Sequence, residues 1–239
     1  MQHGQFLPAA NELHSSAINV LTTLLYQTDA YLRSFAATVT AAEETRVALD
    51  CSAFYPGGGG QPHDTGTLQL GTQQWEVSAV KKEGAVVWHA LQGGPLPPAG
   101  SIVSAALNWE RRYALMRTHT AMHILCGVVW RDYGASVTGG NMELLQGRMD
   151  FEFETMRAEL VEEIEAKVNA EVAAARAVRV QILPRAEAFA IPDLIRPIDL
   201  QVQPTRAVGQ LVQRADAAHR LEVRRMVRGP RHAHGSHQP

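Results

Sequence analysis

The sequence predicts an α+β fold in two parts, on three observations. Short β-like runs crowd the first half at close spacing, the signature of an antiparallel barrel or sandwich. Two longer stretches with helical periodicity appear, both in the second half. Between them Gly93–Gly100 (GGPLPPAG) interrupts the pattern and predicts a boundary near 105–110. With 239 residues, 46% hydrophobic and 19% charged, the chain can bury one large core or two small ones. The expected layout is an extension over 1–23, a barrel part over 24–106, a second α+β part over 107–228 and a disordered tail over 229–239.

In order, strands are expected over Phe35–Thr40, Arg46–Leu49, Thr67–Leu70, Trp75–Val80 and Ala85–His89. Glu-Glu, Gly-rich and Lys-Lys-Glu-Gly segments separate them. A helix is expected from Thr118 to about Asp132, and an alternating strand over Gly147–Phe153 (GRMDFEF). A long helix is expected from Thr155 to Arg176, with Thr155 as its cap and Leu160, Ile164, Val168 and Val172 as its apolar stripe. Val178–Leu183, Ile198–Val202, Gln210–Val212 and Leu221–Val227 read as further strands, so helices lie beside an antiparallel sheet.

Composition excludes several classes. Net charge is −2 with a pI near 6.6, so no global field attracts DNA, and no DNA partner is expected. Arg214, Arg220, Arg224, Arg225, Arg228 and Arg231 form a local basic stretch, either a solvated face or a phosphate-binding patch. No run of ~18 apolar residues occurs, so no membrane partner is expected. Two dissimilar cysteines, Cys51 and Cys126, make no disulfide framework. With no secretory leader pattern, a cytoplasmic location is expected.

Two constellations carry chemistry. His119 and His123 stand four apart in an apolar stretch (HTAMH), so both rings lie on one helix face about 6 Å apart along the axis. Zinc sites use such pairs, although ordinary helix histidines also occur at this spacing. The Glu that follows the first His in zincins is replaced by Thr120, which removes the general base of that mechanism. The His-x-Glu of zinc deaminases is also absent. The second constellation is Phe54–Pro62 (FYPGGGGQP), where four consecutive glycines suit a sharp barrel turn or a close approach to a ligand. No Lys-Ser/Thr follows, so this is not a Walker loop.

Asp50–Gly66 (DCSAFYPGGGGQPHDTG), Asn108–Leu125 (NWERRYALMRTHTAMHIL) and Gly147–Phe153 together resemble the alanyl-tRNA synthetase editing domain. They resemble more closely its free-standing relatives, the trans-editing AlaX proteins, in the same order from about Leu24 to Val227. The resemblance implies a small N-terminal antiparallel β-barrel carrying the Gly-Gly-Gly-Gln loop. An α+β editing domain of the threonyl/alanyl-tRNA synthetase second-additional-domain type then follows. It implies a zinc-dependent hydrolase that deacylates tRNA-Ala mischarged with serine or glycine. His119 and His123 would be metal ligands, and Gly58, Gly59, Gly60 and Gln61 would meet the aminoacylated acceptor end of tRNA-Ala. Family members also read small amino acids through a threonine near this loop, where Thr65 and Thr67 both lie in range.

The chain departs from the family at one place. The family completes its zinc site with a late Cys-x-x-x-His element between a short strand and an Ile/Val-Gly-x-Ile/Leu string. Here only Gln203-Pro204-Thr205-Arg206-Ala207 separates Ile198–Val202 from Val208-Gly209-Gln210-Leu211. Replacement ligands considered are His63, Asp64, His219 and the tail histidines His232, His234 and His237. Cys126 reads instead as a buried helix cysteine, two turns from His119. Three functions follow: a trans-editing hydrolase, a degenerate member that binds tRNA or is silent, and a metal-dependent hydrolase of another aminoacyl ester. No synthetase catalytic signature is present, so alanine activation is not expected.

Overall fold

The computed structural model describes residues 21–153, 155–177 and 182–190. In chain order the strands are β1 (Thr23–Leu24), β2 (Ser34–Glu43), β3 (Arg46–Leu49), β4 (Cys51–Ser52), β5 (Gly66–Leu70), β6 (Gln73–Glu83), β7 (Val86–Gln92) and β8 (Ile102–Leu107). Then come helix α1 (Trp109–Tyr133), the hairpin β9 (Val137–Glu143) and β10 (Gln146–Phe151), helix α2 (Ala158–Ala173) and the short α3 (Arg185–Ala190).

Six strands close into a barrel in the order β2-β3-β7-β6-β5-β8, with β8 pairing back onto β2. All pairings in the barrel are antiparallel. The five strands expected from sequence are present, most of them longer than the alternation indicated. Strand β8 is an addition to the expected strands, although all but its last residue lies inside the expected barrel part over 24–106. The Gly93–Gly100 break is the loop between β7 and β8, pinned where Trp75 Nε1–H donates to the Pro95 carbonyl at 2.9 Å. In β8 every second residue is buried, Val103, Ala105 and Leu107, so its period of two places one face in the core. The register shifts between Val39 and Ala41 and between Val77 and Ala79, the kind of irregularity that bends a sheet toward closure.

Trp75, Phe54, Leu49, Leu68, Val77 and Val103 fill the barrel, each 0–1% exposed. Such side chains stabilise by about 1.5–3 kcal/mol each. Among them sits a polar pair. Ser52 Oγ lies 2.9 Å from His89 Nε2, and His89 Nδ1 lies 3.4 Å from the Val47 carbonyl. Ser52 Oγ also accepts the Phe54 N–H at 3.2 Å. With no exposed surface, this Ser–His pair has no path to substrate and is structural.

Burial holds the His89 pKa down to about 4, below an ordinary value of 6.5. The unfolded chain therefore takes up the proton first. His89 leaves stability complete above pH 6.5, erodes it as pH falls toward 4, and adds no further change below. The full loss is roughly 3 kcal/mol. Urea unfolding across this window should show that slope in the wild type and lose it in His89→Gln, which keeps an acceptor for Ser52 but does not titrate.

Helix α1 begins nine residues before the expected Thr118. Asn108 caps it, its side chain accepting the Arg111 N–H at 3.0 Å. It ends at Gly134, left-handed at φ 65°, whose N–H returns to the Trp130 carbonyl. Helix α2 begins at Ala158, and the position before it is Arg157 with no side-chain cap, so Thr155 does not cap it. The expected stripe holds: Ile164, Val168 and Val172 are buried together with Val161, and Leu160 packs at the edge. Val128 and Val129 of α1 meet this stripe. Strand β10 matches the alternation over 147–151, and its partner β9 was not expected, because its Gly-Gly-Asn run lowers strand propensity. Among the described residues no helix is long and apolar enough to cross a membrane.

Strands expected at Ile198–Val202, Gln210–Val212 and Leu221–Val227 lie outside the described residues. So do the 203–207 segment, His219, the C-terminal arginines, the tail and most of Val178–Leu183.

Candidate functional site

The site forms where the Gly-rich loop meets helix α1 and strand β9. Gly57, Gly58, Gly59 and Gly60 all have positive φ, from 59° to 124°, a path that other residues adopt only with strain. The loop turns on itself through reciprocal Gly58 and Gln61 backbone bonds, each 3.0 Å. Gly60 then touches the second half of the chain. Its carbonyl accepts the Met142 N–H at 3.2 Å, and a Cβ there would stand 3.2 Å from the Gly140 carbonyl oxygen. The glycine run is thus a turn whose backbone packs against strand β9.

The turn delivers Gln61 to His119. His119 Nδ1–H donates to Gln61 Oε1 at 2.6 Å, across 58 positions of sequence. His119 is therefore protonated on Nδ1, and its Nε2 lone pair faces His123 Nε2 at 2.9 Å. The two rings stack 12° from parallel, with centroids 4.8 Å apart. Burial depresses the pKa of both rings, and for His119 the neighbouring His123 depresses it further. Burial thereby favours the neutral form of both imidazoles, the form that binds metals.

A cleft of about 350 Å³ opens over this pair. Gly59, Gly60, Gly140 and Asn141 line it, and Met122 and Met149 add apolar side chains. Cys126 also lines it, half-buried, with its Sγ 3.6 Å from Met149 Sδ. This corrects the expectation of a buried helix cysteine: helical rotation carries Cys126 to the cleft rim on the side of the two histidines.

His63 and Asp64 do not enter the cleft. His63 Nδ1 lies 2.9 Å from the Asp64 carbonyl, and the His63 carbonyl accepts Arg111 Nε–H and Nη2–H at 3.2 and 3.0 Å. Asp64 is buried and takes Arg112 Nε–H at 2.9 Å and the Tyr55 N–H at 2.7 Å on one oxygen. Thr65 offers its carbonyl to the Asn108 N–H at 2.8 Å, and Thr67 lies within β5. Sequence reasoning missed Arg112, Asp64 and Tyr55 as the frame of this loop. Their one visible signal was the Arg111-Arg112 pair, which lies ahead of the helix expected from Thr118.

The donor set fits zinc in part. Two nitrogens bound at about 2.0–2.1 Å in a tetrahedral site stand roughly 3.4 Å apart, so the 2.9 Å His119–His123 separation needs to open by only a few tenths of an ångström. The Gln61 bond supplies the outer partner that metal-binding imidazoles use to fix their tautomer. Among the described residues no group of three or more His, Cys, Asp or Glu side chains assembles, so these residues supply two positions.

The model of the family described as tRNA synthetases class II (A) matches residues 12–111. The chain is 35% identical over 182 residues to the alanyl-tRNA editing protein AlaX-M of Saccharolobus solfataricus, covering 74% of this chain and 75% of that protein. It is 34% identical over 174 residues to the AlaX-M of Methanosarcina barkeri, covering 70% and 72%. It is also 38% identical over 170 residues to the alanine–tRNA ligase of Pyrococcus furiosus, where it spans 19% of the ligase's length. The chain is thus similar to a segment of the ligases and to most of the length of the editing proteins, and it belongs to the AlaX-type alanyl-tRNA editing family.

Proposed function

We propose that this protein hydrolyses the ester of tRNA-Ala mischarged with serine or glycine, acting in trans in the cytoplasm, with zinc held by His119 and His123. The observation that carries this reading is the convergence of two distant family motifs in one cleft, through the Gln61–His119 bond.

In the reaction, water attacks the carbonyl that joins the amino acid to the terminal ribose. The ester C–O bond breaks, the ribose hydroxyl recovers a proton, and the free amino acid leaves. Zinc, when bound, polarises an oxygen or acidifies a water. The chain's own residues supply the rest. His119 and His123 present neutral nitrogens, and Gln61 holds the first ring by its Nδ1–H. The Gly59 and Gly60 backbone borders the cleft where the acceptor end would lie. A cleft of about 350 Å³ admits a small aminoacyl group with part of its ribose. Met122 and Met149 give the cleft an apolar flank.

Purified protein with added zinc should deacylate Ser-tRNA-Ala, and His119→Ala should return the rate to that of buffer. A wild-type rate equal to buffer would reject the reading. A second reading is favoured by one observation: His119 and His123 gather no third ligand among the described residues. It holds that the chain binds tRNA-Ala without turnover. Salt-sensitive tRNA binding, no zinc in the purified protein and no deacylation would establish it. Turnover lost on chelation would exclude it.

A further inference from the structure

Helix α1 holds the Gly-rich loop through Arg111 and Arg112 near His63 and Asp64 and through His119 at Gln61, and Tyr55 bonds the turn between these ties. At one end Arg112 of α1 donates to Asp64, which in turn accepts the Tyr55 N–H and donates its own N–H to the Tyr55 carbonyl at 2.9 Å. At the other end Gln61 accepts from His119, seven residues further along the same helix. Tyr55 Oη–H donates to the Gly58 carbonyl at 3.0 Å, and that carbonyl also accepts the Gln61 N–H. The Tyr55 ring is braced edge-on by Tyr26, with centroids 5.4 Å apart.

We propose that Tyr55 is a positioning residue whose hydroxyl, through Gly58 and Gln61, fixes the tautomer and direction of His119. The inference rests on the reading of His119 as a metal-binding residue. Its physical basis is the glycine run. Residues with such freedom do not hold a turn by themselves, because ordering them costs more entropy than ordering any other residue type. The phenol is the one side chain among the described residues with a hydrogen bond to the carbonyls of Gly57–Gly60. Its backbone is fixed on both sides by Asp64, so it acts as a rigid post. Without the hydroxyl, the Gly58–Gln61 turn keeps its own two bonds but loses its tether to the barrel. Gln61 Oε1 then shares its time between His119 and solvent, and the His119 proton redistributes between Nδ1 and Nε2.

Nitrogen-15 spectra of the histidine rings in metal-free protein near neutral pH give the tautomer directly, and a competition titration with a chromophoric chelator gives zinc affinity. In wild type, His119 should be Nδ1-protonated. In Tyr55→Phe the Nδ1-protonated fraction should fall and zinc binding weaken by about tenfold, the scale of losing an outer-shell partner. Gln61→Leu should give the same two changes, and Tyr26→Phe, which keeps the ring brace, should give neither. Should Tyr55→Phe keep both the tautomer and, within about twofold, the zinc affinity, the proposal is overturned, even if its melting temperature falls. A wild type that binds no zinc or deacylates no tRNA counts against the proposed function alone, because the tautomer is read without metal or substrate.

Discussion

Arg112→Met is expected to destabilise the protein by about 3–5 kcal/mol, because it leaves a buried carboxylate without its cation. Asp64 is 1% exposed and Arg112 3%. The guanidinium spends its donors on three segments that connect the strands of the first half: Asp64, the Ala30 carbonyl at 3.0 Å and the Ala53 carbonyl at 2.5 Å. One side chain thereby joins the first turn of α1 to three loops of the first half of the chain. The second oxygen of Asp64 has no hydrogen-bond partner among the described residues, so without Arg112 the carboxylate keeps only the Tyr55 N–H. Thermal unfolding should drop by roughly 10 °C for such a loss in a chain of this size. Arg112→Lys keeps the charge but not the fork, and should recover only part of the loss. An Arg112→Met variant as stable as wild type would mean that the Arg112–Asp64 pair does not fasten helix α1 to these loops.

Gly66→Ala should cost about 3 kcal/mol or more, at the upper end of overpacking effects. A methyl at Gly66 would stand 2.1 Å from the Ala106 carbonyl oxygen, 2.8 Å from Phe54 Cε1 and 2.9 Å from the Leu107 Cα. Two of those atoms are backbone of β8, the strand that closes the barrel against β5 and β2. Relief therefore requires parting β5 from β8 rather than turning a side chain. The usual gain from a stiffer unfolded chain, about 0.4–1 kcal/mol for Gly→Ala, does not offset this. Urea midpoints compare the two chains directly. Gly71→Ala is the contrast: no atom lies within 4 Å of a Cβ there, and its positive φ of 60° alone sets a smaller cost.

The parts of the site legible in the sequence are those with local causes. His119 and His123 share a face because one helical turn separates them, and a helix was readable from its apolar spacing. The glycine run announced a special backbone, and all four residues do have positive φ. The barrel strands were legible wherever alternation was regular. They were not legible at β8, where a Gly-Pro-rich loop preceded a short run, or at β9, where two adjacent glycines masked the strand. The start of α1 was also misplaced, since Trp109–Arg117 carries charged and aromatic residues whose burial depends on the barrel against them.

By itself, the sequence determined the α+β class, the imidazole pair and the family, because each depends on short-range spacing or on motifs read within a few residues. Only the tertiary structure decided which partners those residues meet. Gln61 reaches His119 across 58 positions, Arg112 reaches Asp64 across 48, and Cys126 comes to the rim of the cleft. The physical reason is the same in each case. A hydrogen bond or ion pair between distant residues is specified by barrel closure and by the docking of a helix, which sum many weak contacts that no single stretch of the chain contains.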